Sequence, residues 1–134
     1  MTIGKSAAYL NKLSNLIIGA ALEVHKQLGP GLLESAYEAC LVYELTQAGL
    51  KIERQKTLPI IYKSNRIDCG YRLDIVVDDG IILELKSVDQ ILPVHKAQLM
   101  SYLKLSQLSL GLLINFNVTI LKDGIIRLVN EFPE

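Results

Sequence analysis

The sequence predicts a mixed α/β or α+β fold in which helices pack on a mixed β-sheet. Helical hydrophobic spacing occupies the first part of the chain, and short runs rich in Ile, Leu, Val and Tyr follow. Helical spacing then returns before two more short apolar runs. Since no internal repeat is visible in residues 1–134, we expect a single domain around one core.

Two helices are predicted before the first strand. Apolar side chains recur at helical spacing from Leu10 to Leu28, and Gly29-Pro30 ends this helix. A second helical pattern ends at Gly49, with Ser35-Ala-Tyr-Glu38 as a candidate capping box. Glu34 therefore lies in the first turn of the second helix or just before it.

The rest of the chain predicts six strands and one helix, separated by Pro, Gly, Asn and Asp. The strands are expected near residues 51–57, 58–63, 70–77, 81–87, 109–115 and 125–129, and the helix over about 93–105.

Composition excludes several classes of protein. The longest apolar run, Leu16 to Leu22, is too short to span a bilayer, and no secretion signal is evident, so we expect a cytoplasmic protein without membrane association. Cys40 and Cys69 lack CxxC spacing, which excludes a zinc knuckle or a disulfide framework and favours reduced, buried thiols.

Charge is balanced overall but segregated along the chain. The 14 Lys and Arg residues match the 14 Asp and Glu residues, which argues against tight, sequence-blind binding to DNA. Residues 51–72 nevertheless carry six basic side chains against two acidic ones, about +4 in total. On charge alone, the favoured explanation of this excess is a solvated face of a strand pair. The functional alternative is that these basic side chains contact phosphates.

Candidate chemistry lies in two strands joined by the turn Asp78-Asp79-Gly80. A two-residue loop would pair position 74 with 85. A three-residue loop, with glycine in the left-handed region, pairs 77 with 81 and therefore Asp74 with Glu84. Asp74 and Val76 should share one strand face, as should Glu84 and Lys86.

Two opposed carboxylates destabilise a sheet unless a cation compensates them. Lys86 supplies one positive charge, and Mg²⁺ or Mn²⁺ held by the carboxylates, water and substrate phosphate would supply the rest. The alternative of equal weight is an exposed Asp–Glu–Lys cluster with no role.

The following helix places His95, Gln98 and Tyr102 on one face. These side chains would orient substrate or water at the site, unless Tyr102 belongs to the core and the other two are merely solvated. For His95 alone, the solvated alternative is favoured. Cys40, Cys69, His25 and His95 contain zinc-binding atoms, but their spacing fits no zinc finger.

These residues carry a resemblance to known proteins. Asp74, Glu84-Leu85-Lys86 and Gln98-Leu-Met-Ser-Tyr102 resemble the D…ExK…QxxxY pattern of PD-(D/E)XK nucleases. Gly31-Leu-Leu-Glu34-Ser-Ala-Tyr37 resembles the motif that names the GxxExxY protein family. Leu73 stands where the superfamily's name has proline.

The resemblance implies a restriction-endonuclease-like core of helix, three-stranded antiparallel meander, helix and strand. It implies that Asp74, Glu84 and the Leu85 carbonyl hold Mg²⁺ or Mn²⁺. Glu34 would complete the acidic site, and Lys86 would assist the attacking water. Gln98 and Tyr102 would support the site from the following helix.

Two functions from different classes follow as expectations. The first is a divalent-metal-dependent nuclease acting on DNA or RNA, with the basic stretch 51–72 meeting phosphates. The second is a non-catalytic binding or assembly module that keeps the nuclease-like fold. The high apolar content and the wide apolar stripe of the first helix suggest a homodimer or an accessory protein as its partner.

Overall fold

The computed structural model describes residues 4–134. The helices are α1 (Ala7–Leu28), α2 (Glu34–Gln47) and α3 (Pro93–Ser106), and a 3₁₀ turn covers Leu121–Gly124. The strands are β1 (Ile52–Thr57), β2 (Ile60–Tyr62), β3 (Asn65–Ile67), β4 (Arg72–Val77), β5 (Ile81–Lys86), β6 (Leu110–Asn115) and β7 (Ile125–Val129).

Five strands form one mixed sheet in the order β1-β4-β5-β6-β7. Strands β1, β4 and β5 form an antiparallel meander. Helix α3 then crosses over so that β6 runs parallel to β5, and β7 returns antiparallel to β6. The predicted mixed α+β architecture is confirmed, and it is consistent with a restriction-endonuclease-like fold.

Each face of the sheet is covered by helices because side chains alternate along the central strands. One core joins α1 and α2 to the sheet through residues that include Ile17, Tyr37, Leu41, Ile75, Leu83, Leu85 and Phe116. The other core joins α3 to the opposite face through Leu58, Leu73, Val76, Ile82, Leu99, Tyr102, Leu103 and Leu113.

The segment between β1 and β4 differs from the prediction. One strand was expected over 58–63, whereas β2 and β3 form a separate two-stranded hairpin whose turn residues Lys63 and Ser64 have φ of 47° and 68°. Strand β3 escapes prediction because its three residues, Asn-Arg-Ile, carry no apolar alternation. Every residue from 61 to 70 is exposed, so this hairpin stands clear of both cores.

The start of α2 corrects the predicted capping box. The helix begins at Glu34 and its N-cap is Leu33, which has no side-chain cap hydrogen bond. Ser35 therefore lies inside the first turn, and the side chain of Glu38 bonds Arg54 and Gln55 instead of the helix end.

The prediction of buried thiols is wrong. Cys40 and Cys69 are both free and exposed. Cys40 lies on the outer side of α2, and Cys69 lies in the linker between the hairpin and β4. A cysteine's preference for burial cannot reveal which side of a helix faces the sheet.

The turn between β4 and β5 has the predicted register but not the predicted backbone. Val77 pairs with Ile81, as a three-residue loop requires. The left-handed residues, however, are Asp78 and Asp79, with φ of 50° and 52°, which aspartate tolerates better than most residues. Gly80 has no positive φ, and a Cβ there would lie 3.3 Å from the Leu10 side chain, close enough to press on it.

No helix within residues 4–134 is both long and apolar enough to cross a membrane.

Two glycines allow a matched test of the packing. A Cβ at buried Gly124 would lie 2.3 Å from the backbone oxygen of Asn115, whereas a Cβ at exposed Gly19 in α1 would meet nothing within 4 Å. Gly124→Ala should therefore lower the free energy of unfolding by roughly 1–3 kcal/mol. Gly19→Ala should raise it by roughly 0.8–1 kcal/mol through helix propensity. Urea denaturation would measure both, and wild-type stability for Gly124→Ala would contradict this packing.

Candidate functional site

Two carboxylates face each other where β4 and β5 separate. The ladder between these strands runs from Val77↔Ile81 to Ile75↔Leu83. Beyond it, the Asp74 N–H donates to Glu84 Oε1 at 3.2 Å, and the Leu85 N–H donates to Asp74 Oδ2 at 2.8 Å. Carboxylate oxygens thus replace the backbone acceptors that a continued ladder would supply.

The strand alternation changes at this point. Leu73 and Val76 both pack in the α3-side core, which strict alternation would forbid for residues three apart. The bond from Leu85 N–H places the Asp74 carboxylate between the strands, rather than on a face shared with Val76 as predicted. Gln55, which the β1–β4 register places opposite Asp74, has φ of 48°. The sheet is therefore irregular at the row that holds the acids.

Burial and mutual repulsion make this acidic pair hard to ionise. Glu84 is only 6% exposed. Its burial and the neighbouring charge of Asp74 raise its pKa from 4.5 to about 8. Burial also raises the pKa of Asp74, and the Leu85 N–H partly opposes that shift. Without a cation, the pair therefore favours holding a proton at neutral pH.

Lys86 lies half-buried at the end of β5. Its positive charge acts to lower the pKa of both Asp74 and Glu84. Among residues 4–134, its ammonium forms no ion pair within 4.0 Å. The lysine is close enough to act on the acids electrostatically and still has donors free for another ligand.

The Leu85 backbone points toward the acidic pair. Its N–H reaches Asp74 on the β4 side, and the N–H and C=O of one strand residue point to the same side. The next carbonyl, that of Lys86, accepts from Phe116 N–H on the β6 side. The Leu85 carbonyl therefore faces the gap where β4 and β5 separate.

Helix α2 brings two further acids into range. Glu34 is exposed in its first turn, whereas the side chain of Glu38 is only 12% exposed. Glu38 accepts from Arg54 at 3.0 Å and from Gln55 at 2.8 Å. Both glutamates raise the pKa of Asp74, and Glu38 does so more strongly. Glu38 was not predicted as a site residue, although its spacing of four from Glu34 on one helix was a usable signal.

The loop before Glu34 is fixed by hydrogen bonds. The Tyr37 hydroxyl donates to the Gly29 carbonyl at 2.6 Å and accepts from Leu32 N–H at 3.1 Å. The Ser87 hydroxyl donates to the Leu32 carbonyl at 2.6 Å. The tyrosine of the GxxExxY motif is therefore structural, and Ser87 joins the loop to the end of β5.

Asn115 organises the chain that follows Lys86. This buried residue pairs with Lys86 across the β5–β6 ladder. Its amide nitrogen donates to Val88 O at 2.9 Å, while its oxygen accepts from Val88 N–H and Asn117 N–H. Asn115 was not predicted as a site residue, although a polar residue ending an apolar strand was a usable signal.

Helix α3 brings Tyr102 beside the acids. Tyr102 is buried, and burial and the charge of Glu84 raise its pKa, whereas a hydrogen bond with exposed Gln98 opposes the shift. His95 is used elsewhere, because its Nδ1 accepts from Leu92 N–H at 3.0 Å at the start of the helix. The structure thus brings Tyr102 toward the site, leaves Gln98 exposed on α3 and uses His95 at the helix end.

The donor set fits a hard divalent cation better than zinc. No group of three or more His, Cys, Asp or Glu side chains converges on one point within the described chain. The alternative zinc site made of Cys40, Cys69, His25 and His95 is therefore not formed, and Glu34 does not converge with Asp74 and Glu84 on one point either. Asp74 and Glu84 supply two carboxylates, and Mg²⁺ is commonly held by one or two carboxylates with water and phosphate oxygens completing the shell.

Comparison with known proteins gives one match. The model of a family described as the PD-(D/E)XK nuclease superfamily matches residues 11–128. A search of curated proteins and a search of solved structures each find no significant match.

The raised pKa of Glu84 predicts how stability depends on pH. A carboxyl group whose pKa rises from 4.5 to about 8 on folding contributes stability that is complete below pH 4.5 and is lost as pH rises toward 8. In EDTA, wild type should therefore lose stability between pH 5 and pH 8, on the order of a few kcal/mol. The Glu84→Gln variant should lose much less stability over this pH range, because the glutamine amide does not ionise.

Urea denaturation at both pH values measures this difference. Glu134→Gln, which removes an exposed carboxylate at the chain end, is the control and should follow wild type. Equal loss of stability in wild type and Glu84→Gln would show that Glu84 ionises freely in the folded protein.

Proposed function

This chain belongs to the PD-(D/E)XK nuclease superfamily, and we propose that it is a divalent-metal-dependent nuclease that hydrolyses phosphodiester bonds of DNA or RNA. The observation that carries the proposal is the opposed pair Asp74 and Glu84 with Lys86 two residues further along β5. Both acids are destabilised as anions when no cation is present. A ligand that brings positive charge to this edge of the sheet is therefore favoured.

Asp74, Glu84 and the Leu85 carbonyl are the groups that would hold Mg²⁺ or Mn²⁺. Glu34 would complete the acidic site from the first turn of α2 through a bridging water molecule. When bound, the cation would lower the pKa of a water molecule and neutralise charge on a phosphate oxygen. Glu38 adds negative charge at this site from a position fixed by Arg54 and Gln55.

Lys86 would act on the reacting groups themselves. Its ammonium lies two residues beyond Glu84 on β5, and it forms no ion pair within the described residues. It would hydrogen-bond the attacking water and stabilise the negative charge that develops on the phosphate. The rigid end of β5, bonded to β6 and to Asn115 through the following loop, holds the lysine in place.

Gln98 and Tyr102 would position Glu84 rather than react. Tyr102 is buried against the α3 side of the sheet, where the charge of Glu84 raises its pKa. Its phenol would limit the directions that the Glu84 side chain can take, and Gln98 would support it from one helical turn earlier. This role matches the QxxxY part of the motif.

The homodimer and the accessory protein stay predictions. The wide apolar stripe of α1 suggested such a partner, but Leu10, Leu13, Ile17, Ala21 and Val24 are all buried in the core of one chain. Isolated exposed residues such as Leu16 and Leu22 are normal on a protein surface. The stripe is therefore accounted for within one chain.

A cleavage assay tests the proposed activity. Labelled single-stranded and duplex DNA and RNA would be incubated with wild type in Mg²⁺, Mn²⁺ or EDTA. We expect metal-dependent cleavage that falls roughly 10²- to 10³-fold in Lys86→Ala, because that variant loses the positive charge that stabilises the developing anion. Asp74→Asn should show a comparable loss.

Lys122→Ala is the matched control, since Lys122 is an exposed lysine in the 3₁₀ turn. It should cleave like wild type. Equal activity in Lys86→Ala and wild type, or no cleavage of any substrate by wild type, would contradict the proposed function.

A further inference from the structure

A second feature capable of binding phosphates lies at the root of the β2–β3 hairpin. A groove of about 190 Å³ runs between the hairpin, β1 and the start of β4. We call it the hairpin groove; it is lined by Thr57, Leu58, Arg66, Asp68, Cys69, Gly70, Tyr71 and Arg72. Its volume is below the roughly 300–1,000 Å³ of pockets that enclose drug-sized ligands. The groove therefore suits a chain that passes through it better than an enclosed small molecule.

Two guanidinium groups line this groove against one carboxylate. Arg66 Nε lies 3.4 Å from Asp68 Oδ1, and both side chains are more than three-fifths exposed. An ion pair this exposed contributes little to stability, so a phosphate can replace the carboxylate at little cost. Arg72 forms no ion pair with a carboxylate in the described part of the chain. The groove thus offers two forked donors of the kind that bind phosphate oxygens.

Tyr71 gives the same groove an aromatic surface. Its side chain is 42% exposed, and its ring packs on the Tyr102 ring with centroids 6.0 Å apart and an interplanar angle of 59°. The support from Tyr102 limits the conformational freedom that the ring would lose on binding. An exposed aromatic ring beside cationic side chains is the combination that binds unpaired bases by stacking.

The groove is adjacent to the acidic pair. Arg72 precedes Asp74 by two residues in β4, which corresponds to about 7 Å along an extended strand. The Leu58 N–H donates to the Tyr71 carbonyl at 2.9 Å and fixes Tyr71 beside β1. A phosphate on Arg72 would therefore be a near neighbour of a phosphodiester bound at Asp74 and Glu84.

We propose that the hairpin groove binds a single-stranded polynucleotide next to the bond to be cleaved, with Arg66 and Arg72 on phosphates and Tyr71 stacked on a base. The choice of a polynucleotide as the ligand rests on the proposed function. The groove adds that this polynucleotide is single-stranded. Stacking on Tyr71 requires an unpaired base, because bases in a duplex already stack on each other. Two closely spaced arginines suit the successive phosphates of one strand.

Binding rather than cleavage tests this proposal. Fluorescence anisotropy would measure the affinity for labelled oligo-dT, oligo-U and a DNA duplex of equal length, with and without Mg²⁺. Every protein in this assay carries Lys86→Ala, so that the labelled oligonucleotide is not cleaved during the measurement. The test variants are Arg66→Gln/Arg72→Gln, Tyr71→Leu and Tyr71→Phe. The control is Lys12→Gln/Lys122→Gln, which removes two exposed charges outside the groove.

The proposal predicts a distinct result for each variant. Arg66→Gln/Arg72→Gln should weaken single-strand binding at least tenfold. It should also reduce the slope of log K against log salt by about 1.4, because each lost phosphate contact on a single strand contributes about 0.7. Tyr71→Leu should weaken binding about 5- to 150-fold, Tyr71→Phe should restore it, and the control should bind like the parent.

Three results would overturn the proposal: no single-strand binding by the parent, equal binding by the arginine variant, or duplex binding as tight as single-strand binding. Thermal melting would exclude unfolding as the cause of any loss. Cleavage by wild type with unaltered binding in the arginine variant would overturn the groove proposal alone. Groove-dependent binding without any cleavage would overturn the nuclease proposal alone.

Discussion

The acidic pair Asp74 and Glu84 is the arrangement on which the surrounding structure depends. Two carboxylates are held side by side between strands that no longer pair, with one of them almost fully buried. Burial and repulsion oppose their joint ionisation. Two backbone N–H groups and the charge of Lys86 offset only part of this penalty. The fold therefore maintains a site whose charge is incomplete without a cation.

Several distant parts of the chain stabilise this edge of the sheet. Tyr37 fixes the loop before α2, and Ser87 joins that loop to the end of β5. Asn115 holds the backbone after Lys86 through both polar groups of its amide. The Tyr37 bond is local to its loop, whereas the Ser87 and Asn115 bonds connect segments far apart in sequence at the ends of β5 and β6. A preorganised site requires such support. The backbone hydrogen bonds between β4 and β5 end where the strands separate, so they cannot hold the side chains beyond that point.

The sequence was sufficient for the architecture and for the register of the turn that brings Asp74 near Glu84. Apolar periodicity located the helices and all strands of the main sheet, and the three-residue turn correctly gave the pairing of Val77 with Ile81. The turn's backbone was misassigned because Asp78 and Asp79, rather than Gly80, adopt the left-handed region. Register depends on loop length, whereas loop length does not fix which turn residue becomes left-handed.

The rest of the site depends on contacts that no local pattern encodes. Glu38 looked like a helix cap, but Arg54 and Gln55 from β1 bind it at the acidic edge. His95 lies on the helix face of Gln98 and Tyr102 and was expected to be solvated, but the helix end uses it as an acceptor. The hairpin that forms one wall of the groove contains a strand too short and too polar to be recognised. For Glu38, the deciding partners lie in another element. For His95 and the hairpin, the local backbone geometry decides.

The central claim is that Asp74 and Glu84 form a cation-binding site, and that this carboxyl pair releases a proton when a divalent cation binds. Calorimetric titration of Mn²⁺ into wild type and Asp74→Asn, at pH 6.5 and 8.5 in buffers of different ionisation enthalpy, measures this directly. The account predicts tighter binding at pH 8.5, proton release on binding at pH 6.5, and loss of binding in Asp74→Asn. Affinity independent of pH and unchanged in Asp74→Asn would contradict it.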